Sequence, residues 1–259
     1  MIENLSVNQV SSQIISSNEV MPGVFLIWLE SPQIASVAQP GQFIMVNCGE
    51  DTLLRRPFSI HQVDNKKSSL ALLFQVVGKG TDWLSKRQPN DIIDLLGPLG
   101  NGFSIYPTPR NLLLVGGGIG IAPLYFLAHE ALREKHSVKL LYGTADSKRL
   151  SISPNIELVS ATEDGTVGYR GMVTDLLPEH IDWADQVFAC GPSSMYRAMA
   201  KMPELKDKPV QISLEVRMGC GLGVCYGCTV KTKKGLKQVC KDGPIFKLSD
   251  ILWDEFVDI

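Results

Sequence analysis

No apolar run in this sequence is long enough to span a bilayer, and the first twenty residues lack the basic and apolar regions of a secretory signal. Little charge is left over either. The formal net charge is −2, which provides no general attraction to nucleic acid or to an anionic membrane. Internal repeats and low-complexity tracts are also missing. These absences set the expectation of a cytoplasmic protein that works neither on nucleic acid nor in a membrane. At 259 residues, the chain is long enough for two domains and a small appendage.

What is there falls into three regions. From Val20 to Ile105, short apolar or alternating runs ("VFLIWLE", "QFIMVNC", "SLALLFQVVG", "DIIDLLGPLG") are separated by Pro, Gly, Asn and Asp. That pattern predicts an antiparallel β-barrel or sandwich over 1–106, of which the barrel is the expected form. "YPTPR", Tyr106 to Arg110, reads as a linker because its prolines continue neither ladder nor helix. Over 107–209 the rhythm changes to continuous apolar strands alternating with helical segments, which predicts a parallel-sheet α/β domain covered on both faces. The remainder, 210–259, is rich in Cys and Gly and too short to hold itself together unaided.

Three of the six cysteines crowd into "RMGCGLGVCYGC". In a reducing compartment such thiols are more often metal ligands or redox groups than disulfides. Cys220, Cys225 and Cys228 stand at C-x4-C-x2-C and Cys240 follows, the plant-type spacing of four thiolates around a [2Fe–2S] cluster. The interleaved glycines are expected to let the loop wrap and aim amides at sulfur, with Cys240 closing the site from a neighbouring strand. Zinc is the alternative, since four thiolates also suit a tetrahedral ion; structural zinc sites, however, usually pair two CxxC-like knuckles. Cys48, placed in an apolar strand, reads as a core residue.

The second region carries three glycine turns at expected strand ends. "LLLVGGGIGIAPL" supplies Gly116, Gly117, Gly118 and Gly120, without the third glycine of the G-x-G-x-x-G pattern. "LLYGT" and "VFACGP", the latter with Cys190, Gly191 and Pro192, supply the others. In an open parallel sheet all three fall at the carboxyl edge, where a pyrophosphate is stabilised by a helix N-terminus; the alternative is turns that serve packing only. In the barrel region, "RRPFSI" offers Arg56 to a phosphate and Ser59 to a flavin ring edge, against the reading of a surface strand with an incidental Arg. "VVGKGTDWL" offers free amides at Gly78, Gly80 and Thr81 to phosphate.

With the ordered set "RRPFS", "GKGT", "GGGIGIAPL", "EDGTVGYRGMVTDLL", "CGP" and "LEVRMGCGLGVCYGC" ending in Cys240, the chain resembles the ferredoxin reductase superfamily, and within it the iron–sulfur electron-transfer subunits of dihydroorotate dehydrogenase B. The resemblance spans nearly the whole chain. It implies FAD on the barrel, NAD on the α/β domain and a [2Fe–2S] cluster at the C-terminus. By motif, Arg56, Pro57, Phe58 and Ser59 would contact FAD, Leu73, Phe74 and Gln75 would line the flavin, and Gly80 and Thr81 would sit at its phosphates. The turn at Gly116 to Gly120 and Cys190 to Pro192 would hold NAD, and Cys220, Cys225, Cys228 and Cys240 would ligate the cluster.

The resemblance further implies an FMN-containing catalytic partner that oxidises dihydroorotate in pyrimidine synthesis, in a heterotetramer. Electrons would pass between that FMN and NAD through the cluster and FAD. Cys190 reads either as a neighbour of the nicotinamide or as a buried strand end, and Glu215 as a proton shuttle or a loop fastener. Lys148 and Arg149 would favour a 2′-phosphate or merely solvate a turn, while the resemblance favours NAD. Competing functions are a subunit of a sulfide dehydrogenase, hydrogenase or ferredoxin-linked transhydrogenase, and a zinc-stabilised nucleotide-binding module.

Overall fold

The computed structural model describes residues 7–50, 52–108, 110–148 and 150–256. Six strands close an antiparallel barrel: β1 (Asn8–Met21), β2 (Val24–Glu30), β3 (Phe43–Val46), β4 (Arg56–Asp64), β5 (Ser69–Gln75) and β6 (Ile92–Leu99), in the order β1-β2-β5-β4-β3-β6. One-turn helix α1 (Pro32–Ala35) links β2 to β3, and α2 (Lys79–Ser85) links β5 to β6. Alternation in β2 sends Phe25, Ile27 and Leu29 into the barrel, while Val24 packs toward the second domain. In β5, by contrast, six consecutive residues from Ser69 to Phe74 are buried. Both faces of β5 are covered, because Leu70, Leu72 and Phe74 fill the barrel while Leu73 packs against the second domain.

That domain is built on β7 (Asn111–Gly117), β8 (Ser137–Thr144), β9 (Glu157–Thr162), β10 (Tyr169–Arg170), β11 (Gln186–Cys190) and β12 (Val210–Ser213). Helix α3 (Ile121–Arg133) follows β7, the single turn α4 (Leu177–His180) precedes β11, and α5 (Ser193–Ala200) follows it. The apolar run of β7 is buried at five consecutive positions, as a parallel strand sandwiched between two layers requires. The order β10-β9-β8-β7-β11-β12, with a last strand β15 (Ile245–Lys247) beside β12, reverses direction between β7 and β11, and a crevice opens there at the carboxyl ends.

The C-terminal segment is woven into this sheet. Val210–Ser213, expected to open a separate region, pairs in parallel with β11, and β15 (Ile245–Lys247) pairs antiparallel with β12. Between them lie the cysteine loop, the hairpin β13 (Thr229–Thr232) and β14 (Gly235–Gln238), and the single turn α6 (Val239–Asp242). Cys228, Val230, Val239 and Cys240 share one apolar core with Leu113, Val115 and Ile212 of the sheet and with Phe43, Met45 and Leu99 of the barrel. A segment of this size buries too little surface alone, so it borrows its core from both neighbours.

Candidate functional site

The cysteine loop wraps so that its amides face its sulfurs. The N–H groups of Leu222 and Val224 each donate to Cys220 Sγ at 3.4 Å, Gly223 N–H to Cys240 Sγ at 3.1 Å, and Gly227 N–H to Cys225 Sγ at 3.5 Å. The sulfurs come as two pairs: Cys220 hydrogen-bonds with Cys225, and Cys228 Sγ lies 3.3 Å from Cys240 Sγ. Cys240 comes from α6 rather than from a strand; its N–H donates to Cys228 Sγ at 3.4 Å. Among the described residues, no three His, Cys, Asp or Glu side chains gather about one ion position. Two thiol pairs with amides aimed at them suit a diiron cluster, which takes two thiolates at each iron.

Charge follows from this wrapping. Burial pushes the Cys220 thiol up, but the amides of Cys225, Leu222 and Val224 outweigh it and bring the pKa down to about 6. Burial and the neighbouring Cys228 push Cys240 up to about 12. Gly221, at φ +72°, is pressed onto the barrel: a Cβ there would lie 2.6 Å from Met45 Cγ and 3.2 Å from Leu99 Cδ1. Met45 is in turn the ladder partner of Pro57. The cysteine loop and the "RRPFS" strand therefore meet across one residue pair.

At that strand the barrel ladder opens. Pairing between β4 and β5 runs from Asp64 with Ser69 to Ile60 with Leu72, and Arg56–Ser59 and Leu73–Gln75 lie beyond it. Both segments thus face one gap with this part of their backbone outside the β4–β5 ladder. The side chains of Phe58 and Phe74 pack edge to face in the barrel core at 5.4 Å, and Leu73 is buried toward the second domain, so of Leu73–Gln75 only Gln75 presents its side chain outward. Arg56 stands over the start of α2: a Cβ on Gly80 would meet its Cγ at 3.1 Å, and its Nη1 donates to Leu54 O at 2.6 Å.

The amide of Gly78 is not free as expected. It donates to Thr81 Oγ1 at 3.1 Å, as Val77 N–H does at 2.9 Å, which leaves the first turn of α2 at Gly80 and Thr81 as the remaining source of open amides. Cys48 lies two residues past β3, in the barrel core, where burial pushes its thiol up to about 11 despite Arg56.

In the second domain a cavity of about 450 Å³ opens at the sheet's carboxyl edge, walled by Gly117, Gly118, Gly143, Thr144, Val173 and Pro192. Gly116, Gly120, Cys190 and Gly191 do not line it. Gly120 instead fits α3 against the end of β11, where a Cβ would lie 2.2 Å from Cys190 O. Cys190 is fully buried with its Sγ 3.8 Å from Glu215 Oε1, and burial pushes both this thiol and the Glu215 carboxyl upward. Glu215 keeps an exposed surface, while the protein around the crevice partly desolvates its carboxyl. Lys148 pairs with Asp146 at 3.7 Å; Arg149 lies outside the described residues.

The family model for the iron-sulfur cluster binding domain of dihydroorotate dehydrogenase B matches residues 215–252. A "Dihydroorotate dehydrogenase B (NAD(+)), electron transfer subunit" from Desulforamulus reducens is 40% identical over 248 residues, covering 91% of this chain and 95% of the relative. The chain belongs to the family of dihydroorotate dehydrogenase B electron transfer subunits. A second member, from Geobacillus thermodenitrificans, is 35% identical over 92% of this chain and 96% of its own length. Among solved structures, that of an NADH-dependent reduced ferredoxin-NADP oxidoreductase has a TM-score of 0.85 at 31% identity, covering 96% of this chain and 92% of that one. The ferredoxin reductase of carbazole 1,9a-dioxygenase shares the fold at TM-score 0.72 and 21% identity, over 82% of this chain and 70% of its own.

In this electron transfer subunit, sequence reasoning missed Glu163, Met172–Thr174, Ser194 and Met195 among the residues that line this cavity. Their signal was present in "EDGTVGYRGMVTDLL" and after "CGP", stretches quoted for resemblance but assigned no role beyond the latter's three residues. Glu163 directly follows β9, at the edge where ligands collect.

Proposed function

We propose that the chain passes electrons between NAD and the FMN of a dihydroorotate dehydrogenase catalytic subunit, in a cytoplasmic heterotetramer serving pyrimidine synthesis. The observation that carries the reading is the contact of Gly221 with Met45, the partner of Pro57, because it brings the thiol loop beside the open ladder of the barrel. Bound FAD supplies the exchange between a two-electron hydride and single electrons, and the [2Fe–2S] cluster takes those one at a time.

The chain's own residues do the rest. Cys220 with Cys225 and Cys228 with Cys240 hold the irons, and the loop amides stabilise charge on sulfur. Arg56 and the amides of Gly80 and Thr81 hold phosphate, Ser59 orients the ring edge, and the backbone of Leu73–Gln75 lines the gap. Gly116–Gly118 allow the coenzyme to approach the sheet edge, while Gly120 and Cys190–Pro192 fix the wall of its cavity. Glu215 Oε1 accepts a hydrogen bond from Cys190 Sγ at 3.8 Å and so fastens the start of the cysteine loop to the end of β11. Leu222, Val224 and Tyr226, all exposed around Cys225, form the apolar face that meets the catalytic subunit.

The test is dihydroorotate-dependent NAD reduction in anaerobic extract of the source cells, before and after antibody depletion of this chain. Depletion is expected to remove the activity, and adding back the purified chain to restore it. Cys225→Ser is expected not to restore it while still passing electrons from NADH to a dye. Unchanged activity after depletion overturns the dihydroorotate assignment. The 31% identical ferredoxin-NADP oxidoreductase motivates a second reading, a transhydrogenase subunit. Loss of NADH-linked ferredoxin–NADP exchange in place of dihydroorotate oxidation would establish it.

A further inference from the structure

Helix α5 borders two cavities. Ser194, Met195 and Ala198 face the coenzyme cavity, while Met199, Ala200 and Lys201 face a second one of about 720 Å³ at the other end of the helix, where β12 begins and β15 ends. No step of the electron route uses this second cavity.

Its lining is charged almost entirely one way. Lys201 comes from the end of α5, Lys206 and Lys208 from the loop into β12, Lys233 from the β13–β14 turn and Lys247 from the end of β15, against the single carboxylate of Asp207. Elsewhere in the C-terminal segment three of the four other lysines are paired: Lys231 with Glu255 at 2.7 Å, Lys234 with Asp250 at 2.8 Å and Lys237 with Asp242 at 3.5 Å. Among the described residues, Lys201, Lys206, Lys233 and Lys247 have no carboxylate within 4.0 Å, and Lys208 donates to the carbonyl of Ala184 at 2.6 Å. Four separate segments thus bring unpaired ammonium groups around one concavity in a chain whose net charge is −2. Their mutual repulsion is relieved by an anion placed among them.

The floor is of another character. Met199, Leu205, Val210, Leu248 and Ile251 are buried beneath it, and the half-buried rings of Tyr106 and Trp253 border it. A basic rim over an apolar and aromatic floor suits a ligand with phosphate groups at one end and a flat organic body at the other. We propose that this cavity binds a multiply phosphorylated small molecule, its phosphates on the lysine rim and, in a nucleotide, its base on the floor beside Tyr106 and Trp253.

The test is isothermal titration calorimetry of the full chain carrying its flavin and cluster, with NAD+ at saturation to keep the coenzyme cavity filled. The probes are ATP and inorganic tripolyphosphate. Both are expected to bind saturably. The pair K206E/K247E should weaken both by at least about tenfold, with the KM for NADH unchanged, whereas K231E/K237E, at paired lysines outside the cavity, should leave binding as it was. If K206E/K247E loses its flavin, K206Q/K247Q takes its place. Tighter binding of ATP identifies a nucleotide site, and equal binding a site for the phosphate chain alone. Absence of saturable heat from both probes at millimolar concentration, or equal weakening by the two lysine pairs, overturns the proposal.

Discussion

At Cys220 three backbone amides decide the state of one sulfur. The donors that bring this thiol down to about 6 also favour the more negative, reduced form of a cluster bound there, because an N–H dipole aimed at sulfur stabilises added charge. A redox titration followed by electron paramagnetic resonance is therefore expected to give a midpoint above the roughly −400 mV of plant-type clusters; a value at or below it would show that these donors do not tune the cluster. His61 offers a second residue-scale outcome. It lies buried between β4 and α3, with its Nδ1 donating to Ala122 O at 2.9 Å and its ring stacked on Tyr125 at 4.9 Å. Burial first, offset in part by that carbonyl, lowers its pKa from 6.5 to about 4. As pH falls the unfolded chain takes up the proton before the folded one, so the stabilisation is complete above pH 6.5 and is lost as pH falls through 4. Denaturation measured at pH 7 and pH 4 should show a loss of about 3 kcal/mol that His61→Asn removes.

At the scale of elements, the junction of β7, α3 and β11 depends on Gly120. Alanine there has no room, since its Cβ would lie 2.2 Å from Cys190 O, so α3 and the end of β11 must separate. Gly120→Ala is expected to cost about 1–3 kcal/mol in thermal unfolding and to raise the KM for NADH, while the cluster spectrum stays the same. A KM like that of the parent chain would detach this junction from the coenzyme cavity. The run "NLLLVGG" announced this element plainly, because a strand buried on both faces leaves no polar position to disguise it. The separate C-terminal region was less well read. Val210–Ser213 alternates apolar and polar residues over only four positions, and its place beside β11 depends on chain crossovers that local pattern does not record.

Across the whole molecule, two buried glutamines join barrel to sheet. Gln186 accepts from Tyr106 N–H at 3.0 Å and donates to Ser104 O at 2.8 Å; Gln211 accepts from Ser104 N–H at 3.0 Å and donates to the same carbonyl at 2.6 Å. They treat the chain leaving the barrel as though it were one more strand. Gln186→Leu strands the Tyr106 N–H and Gln211→Leu the Ser104 N–H, at about 1–3 kcal/mol each, and either change loosens the angle between barrel and sheet. Stopped-flow bleaching of the flavin by NADH should slow in both variants with the cluster signal unchanged; an unchanged rate would show that the domain angle is held elsewhere.

Local pattern was sufficient for an antiparallel β region, for the strand-turn-helix rhythm and for the crowding of the cysteines, because alternation, glycine at strand ends and thiol spacing are short-range properties written along the chain. Folding alone decided which amides reach which sulfurs, that Gly221 rests on Met45, that Glu163 lines the cavity at the sheet's carboxyl edge, and that five lysines from four segments surround a second one. Those pairings join residues far apart in sequence. They are set by strand order and by the shared apolar core, which no window of neighbouring residues contains.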